Sequence, residues 1–116
     1  MGTMVTMSED RRAGGQSEQS PWDMASGAFI AWRSGDARAV DELVAAMTPV
    51  LWHVVRAYGH DRESAEDVIQ ATWVGFVRLH RTIEDPQAVA SWLITSARRG
   101  AAAHARAARR AIPVQD

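Results

Sequence analysis

Read for the spacing of apolar residues, the chain is a succession of helical stripes. Over 24–32, Met24, Ala28, Ile30 and Ala31 are apolar, and Ser34-Gly35 supplies a stop. Val40, Leu43, Val44 and Met47 then recur at i, i+3, i+4 and i+7, with Asp36 ahead of them as the expected N-cap. Pro49 is expected to kink or break this second helix, after which Val50, Leu51, Val54, Val55 and Tyr58 resume the pattern up to Gly59. The third helix opens at RESAEDV, where Ser64 and Asp67 have capping-box spacing, and runs to about Leu79. Asp85-Pro86 reads as a cap followed by proline at the first helical position, and the fourth helix should extend to about Arg110, short of Pro113. No segment alternates like a strand. The fold class expected is therefore all-α, a compact bundle of about four helices.

Residues 1–21 hold Gly14-Gly15 and scattered Ser, Glu and Gln, with little apolar content after the first seven positions; they read as a disordered leader. The helical domain is expected over 22–110. The 116 residues leave room for one small domain. No cysteine is present, which excludes disulfides and thiolate chemistry and suits a cytoplasmic setting. No apolar run approaches the roughly 20 residues of a membrane span, so no membrane partner is expected.

Two helices carry more than packing requires. The third has an obvious core stripe in Ala65, Val68, Ile69, Thr72, Phe76 and Leu79. Trp73, Val74 and Val77 lie off it, beside Asp67 and Gln70. A small bundle cannot seal one helix on every side, so these five residues are expected to form a protein-docking face. The competing possibility is that Trp73 packs under the first helix.

The fourth helix concentrates charge. The formal net charge is −1, yet from Pro86 to Gln115 there are five arginines and no acid. Val89, Trp92, Leu93 and Ser96 can face inward. Arg99, Arg106 and Arg110 then align along one side, with Arg98 and Arg109 in a second row roughly 100° around. Alanines between them keep the helix thin, so guanidinium groups could reach a phosphate backbone. Such a segregated basic segment is the usual footprint of nucleic-acid binding. His104 sits among these arginines and reads either as an ordinary surface histidine, the bland possibility that weighs more, or as a hydrogen-bonding or stacking contact.

Catalytic chemistry has no carrier. His53, His60, His80 and His104 share no metal-ligand spacing, Glu66-Asp67 suit a helix start, and no phosphate-binding loop exists. Neither an enzyme nor a cofactor or metal is expected.

AEDVIQATWVGFVRLH, followed by a short loop and WLITSARRGAAAHARAARR, resembles domain 2 of the extracytoplasmic-function sigma factors of the sigma-70 family. The preceding FIAWRSGDARAVDELVAAMTPVLWHVVRAYGHDRE resembles the start of that domain. The resemblance implies that Asp67, Gln70, Trp73, Val74 and Val77 dock on the clamp helices of the largest subunit of core RNA polymerase. It also implies that the loop Thr82–Ala88, with Asp85 and Gln87, captures a flipped base from the non-template strand of the −10 promoter element. Trp92, Arg98, Arg99, Arg106, Arg109 and Arg110 would contact the same DNA and help to melt it. Such factors can be held by an anti-sigma factor, a further possible partner. They normally continue into a helix-turn-helix domain, and 111–116 would begin the linker to it. Many members have Asn and Asp where this chain has Arg99 and Ala103. That departure keeps a second reading open, a non-initiating interaction module: a decoy sigma domain or an adaptor whose arginines meet an acidic partner.

Overall fold

The computed structural model describes residues 19–111. Most of the expected leader and nearly all of the expected linker segment lie outside them. Four helices are present: α1 Pro21–Arg33, α2 Ala39–Arg56, α3 Arg62–Leu79 and α4 Val89–Ala111. Two 3-10 turns, His80–Thr82 and Pro86–Ala88, occupy the α3–α4 connection. Among the described residues there is no strand, and the protein is all-α.

Helix α1 begins earlier than its apolar spacing suggests. Ser20 is its N-cap, accepting a hydrogen bond from the Asp23 amide at 3.1 Å, and Pro21 occupies the first turn. The cap and the preset φ of proline start the helix before any buried residue is reached. Gly35 ends the run with φ 112°, in the left-handed region that a side chain disfavours.

In α2 the structure departs from expectation twice. Asp36 is not the N-cap: that position is Arg38, and Asp36 Oδ1 instead accepts from the Arg38 amide at 3.1 Å, holding the preceding turn. Nor does Pro49 break the helix, which is continuous from Ala39 to Arg56. Pro49 and Ala45, whose carbonyl loses its partner, both lie on the exposed side, where water can satisfy that oxygen. Met47 and Leu51, on either side of the proline, are fully buried and hold the helix to the core.

Helix α3 is capped by Asp61 rather than Ser64. Asp61 Oδ1 accepts from the Ser64 amide at 2.8 Å, and this bond keeps the Asp61 carboxyl below the usual aspartate range. Ala65, Val68, Ile69, Thr72 and Phe76 are buried as the stripe predicts, and the Thr72 hydroxyl is satisfied by the Val68 carbonyl at 2.8 Å. Leu79 is not core: it is 50% exposed, because the buried contacts of α3 end with Phe76, about one turn earlier.

Asp85-Pro86 opens the second 3-10 turn, and α4 follows from Val89. Val89, Leu93, Ala97 and Ala101 recur every fourth residue and are completely buried. Small residues bring α4 close to α3: a Cβ placed on Gly100 would lie 3.2 Å from Val68 Cγ1.

Phe76 is the hub of the core. Its ring centroid lies 5.6–6.0 Å from those of Phe29, Trp32, Trp73, Trp92 and His80. Aromatic residues from α1, α3 and α4 thus pack on one ring, and two of them, Trp73 and Trp92, reach towards different surfaces.

Candidate functional site

The α3–α4 connection folds back over the start of α4 and leaves a groove of about 500 Å³. Its walls are Thr82, Ile83, Glu84 and Ala88 from the connection and Ser91, Trp92, Thr95 and Arg99 from α4. The helix contributes a regular stripe, since Ser91, Thr95 and Arg99 are four residues apart. Hydroxyls, a carboxylate, an indole and a guanidinium therefore converge on one concavity: hydrogen-bonding groups of both polarities beside a flat apolar surface, suited to a heteroaromatic base.

The connection is held from three directions. The Thr82 hydroxyl donates to the Leu79 carbonyl at 2.7 Å, and Asp85 Oδ1 accepts from the Gln87 amide at 3.0 Å. Arg33, at the end of α1, donates from Nη1 to the Ile83 carbonyl at 2.9 Å. The Arg33 guanidinium also lies 5.1 Å from the Phe29 ring centroid. Ile83 itself is buried.

Of the residues expected at nucleic acid, Trp92 and Arg99 line this groove. Asp85 and Gln87 belong to the same connection and are exposed, but they are not among its walls; the Asp85 carboxylate is engaged in capping. Arg98, Arg106, Arg109 and Arg110 are exposed along α4, on the side opposite the buried Val89–Ala101 row. Among the described residues none of the five α4 arginines is ion-paired, and the one ion pair joins Arg62 to Glu66 at 3.8 Å.

His104 is not part of the arginine surface. At about 100° per residue it falls on the inward side of α4, half-buried, with its ring centroid 5.1 Å from that of His60. The His60 Nε2 in turn lies 2.8 Å from the Ala101 carbonyl oxygen, tying the α2–α3 turn to α4. His80 is half-buried against Trp32, at 4.6 Å between centroids. Burial, and then the charges of Arg81 and Arg33, hold its pKa below the ordinary 6.5.

The docking face expected on α3 has a split character. Asp67 and Gln70 are exposed, and Val74 and Val77 are 57% and 61% exposed. Trp73 is half-buried and packs edge-on against Phe76, with centroids 5.8 Å apart. Its indole Nε1 is shielded from solvent and has no hydrogen-bond partner among the described residues. Trp73 therefore belongs partly to the core, and the freely presented apolar surface is Val74 and Val77.

Arg33, Ser91 and Thr95 were not legible as site residues. The four-residue spacing from Ser91 to Arg99 is a signal for the latter pair; Arg33 carries none, being 50 residues from its partner. Among the described residues no three histidines or carboxylates cluster as metal ligands would, and no helix is long and apolar enough to cross a membrane.

Comparison with known protein families places a match to the sigma-70 region 2 model over residues 43–111, from within α2 to the end of α4. No curated protein and no solved structure matches the chain.

Proposed function

The chain belongs to the sigma-70 family, of which it carries region 2, and from that premise we propose that it is domain 2 of an extracytoplasmic-function sigma factor. Region 2 is a non-enzymatic transcription-factor domain whose family role is to bind core RNA polymerase and promoter DNA. In the finer reading, the outer face of α3 docks on the clamp helices of the largest polymerase subunit through Asp67, Gln70, Val74 and Val77. The groove between the Thr82–Ala88 connection and α4 receives an unpaired base from the non-template strand of the −10 element. Arg99 and Trp92 contact that nucleotide, and Arg98, Arg106, Arg109 and Arg110 follow the backbone.

The observation that supports this reading best is the composition of the groove. It joins a flat indole to hydrogen-bonding side chains at the head of a helix whose arginines are all exposed and unpaired among the described residues. Extracting a base costs about a few kcal/mol of stacking. Charge-assisted phosphate contacts and a fitted pocket offset that cost. The arginines supply affinity, and the groove supplies choice. The cytoplasm is the compartment in which such a factor works, and an anti-sigma factor is a possible further partner.

The test is a fluorescence anisotropy titration with labelled single-stranded oligonucleotides carrying −10-like sequences. Affinity should fall steeply with salt and change with the identity of one base. Salt-sensitive binding indifferent to every base would instead favour the decoy or adaptor module.

A further inference from the structure

A groove of about 400 Å³ lies between α1 and α2, on residues that neither the proposed DNA contacts nor the proposed polymerase face uses. Asp23, Met24, Gly27 and Ala28 line it from α1, and Glu42 and Ala45 from α2. Small residues and the adaptable side chain of Met24, itself 45% exposed, make its apolar part. A Cβ placed on Gly27 would meet nothing within 4 Å, so the trough is open there. One carboxylate stands on each helix, and neither is ion-paired among the described residues. Asp23 and Glu42 each suit the first turn of their own helix. The macrodipole does not account for the apolar trough that both of them line.

An apolar trough with a carboxylate on either side fits arginine. The methylene stem lies along the trough, and the guanidinium forks onto a carboxylate. The chain offers two sources of arginine. Residues 1–18 lead to Gln19, which also lines the groove, but they carry Glu9, Asp10 and Glu18 against only Arg11 and Arg12. Their excess of acid opposes docking beside two carboxylates. From Arg98 to Ala111, α4 has five arginines and no acid. Every residue from 106 to 111 is exposed, so this stretch of helix packs on nothing in its own bundle. Arg106, Arg109 and Arg110 stand at i, i+3 and i+4 and share one face. Within one copy the two surfaces do not meet, because both are open.

We infer that the α1–α2 groove receives the arginine face of α4 from a second copy of the chain. Groove and helix are different surfaces, so the contact is head-to-tail. It is small and held largely by charge, and so it is transient and sensitive to salt. Under the proposed function the covered arginines are those that follow the DNA backbone, so a single strand and a second copy compete for them. That consequence alone rests on the proposed function; the self-association does not.

Sedimentation velocity of the full chain, from about 10 μM to about 1 mM, tests the contact. The average mass should rise with concentration in about 50 mM salt and return to that of the monomer in about 0.5 M. Gly27→Leu fills the trough without changing its charge, and Glu42→Arg reverses one carboxylate. Both positions are exposed, and circular dichroism checks that each variant folds. Each should raise the concentration for half-association by at least about tenfold. Arg109→Glu should do the same from the helix side. An equal mixture of Glu42→Arg and Arg109→Glu should associate where neither does alone, since one supplies an intact helix and the other an intact groove. A wild type that stays monomeric throughout overturns the inference and leaves the groove to residues 1–18 or to a different basic protein. Association that ignores both groove variants overturns it too, and so does a mixture that fails to recover. Excess −10-like single strand should dissolve the assembly; a strand that binds while the assembly persists would place the contact away from these arginines. A strand that fails to bind even the monomer removes the proposed function and leaves the self-association standing.

Discussion

The Arg33 guanidinium at the end of α1 holds the Ile83 carbonyl at 2.9 Å, fastening the connection that forms one wall of the groove to an element 50 residues earlier. A charged donor makes this bond stronger than a neutral one, at about 1.5–3 kcal/mol. The wall of the groove is thus positioned by a helix outside it, and in the proposed function Arg33 acts on DNA binding without needing to touch DNA.

Arg33→Ala should therefore release that wall while α1 stays folded. The expected result is roughly tenfold weaker binding of single-stranded −10-like DNA, with poorer discrimination between bases and a nearly unchanged salt slope, since no phosphate contact is lost. Anisotropy titrations at several salt concentrations read both quantities. A lowered salt slope would make Arg33 a phosphate ligand instead.

On α3 the two roles separate by residue. Val74→Asp, at a position 57% exposed, should weaken binding to core polymerase by at least about 2 kcal/mol, the scale of an interface hot spot, with an unchanged thermal midpoint. Trp73→Ala should instead cost about 2–3 kcal/mol of folding stability, towards the low end for truncating a core aromatic because the ring is only partly buried. Surface plasmon resonance with core enzyme, paired with thermal denaturation of each variant, distinguishes them.

Arg99→Ala removes a cation from the groove and from the α4 surface. Single-stranded DNA binding should weaken, and the slope of log affinity against log salt should fall by about 0.7 for one lost phosphate contact. Polymerase affinity should not move, because Arg99 is on α4 and the proposed docking face is on α3. Parallel loss of both would point to misfolding.

His80 predicts a pH dependence. Burial disfavours its charged form in the folded protein, so the unfolded chain binds a proton at a pH where the folded one does not. Its neutral packing is fully compatible with the fold above about pH 6.5, and stability falls as pH drops from there through the lower folded value. Thermal midpoints between about pH 7.5 and 5.5 should decline more in the wild type than in His80→Phe. Asp61, whose carboxyl is depressed below 3.8, loses its contribution only in a separate and more acidic window.

What the sequence by itself determined is local. Four amphipathic stripes, the glycine stops at Gly35 and Gly59 and the end of α3 at Leu79 emerged because helix periodicity and capping act within a few residues. The exposure of the α4 arginines was legible for the same reason: a helix with one apolar row must turn the rest outward. Caps were less secure, because several polar residues near each helix start could serve: Asp36 and Asp85 hold the turns that precede α2 and α4, and Ser64 lies three residues inside the Asp61 cap, donating its amide to it.

Tertiary structure decided which surfaces are sealed. Pro49 stays inside a continuous α2 because Met47 and Leu51 are anchored in the core on both sides of it. Trp73 is half-covered because the Phe76 hub reaches it, and Leu79 is open because the core ends a turn earlier. His104 is covered because the α2–α3 turn brings His60 against its ring, with centroids 5.1 Å apart. The groove itself depends on Arg33 reaching Ile83 across 50 residues. None of these has a local signal, because each depends on where a distant element lands, and the energy that settles it is packing and a long-range hydrogen bond rather than backbone propensity.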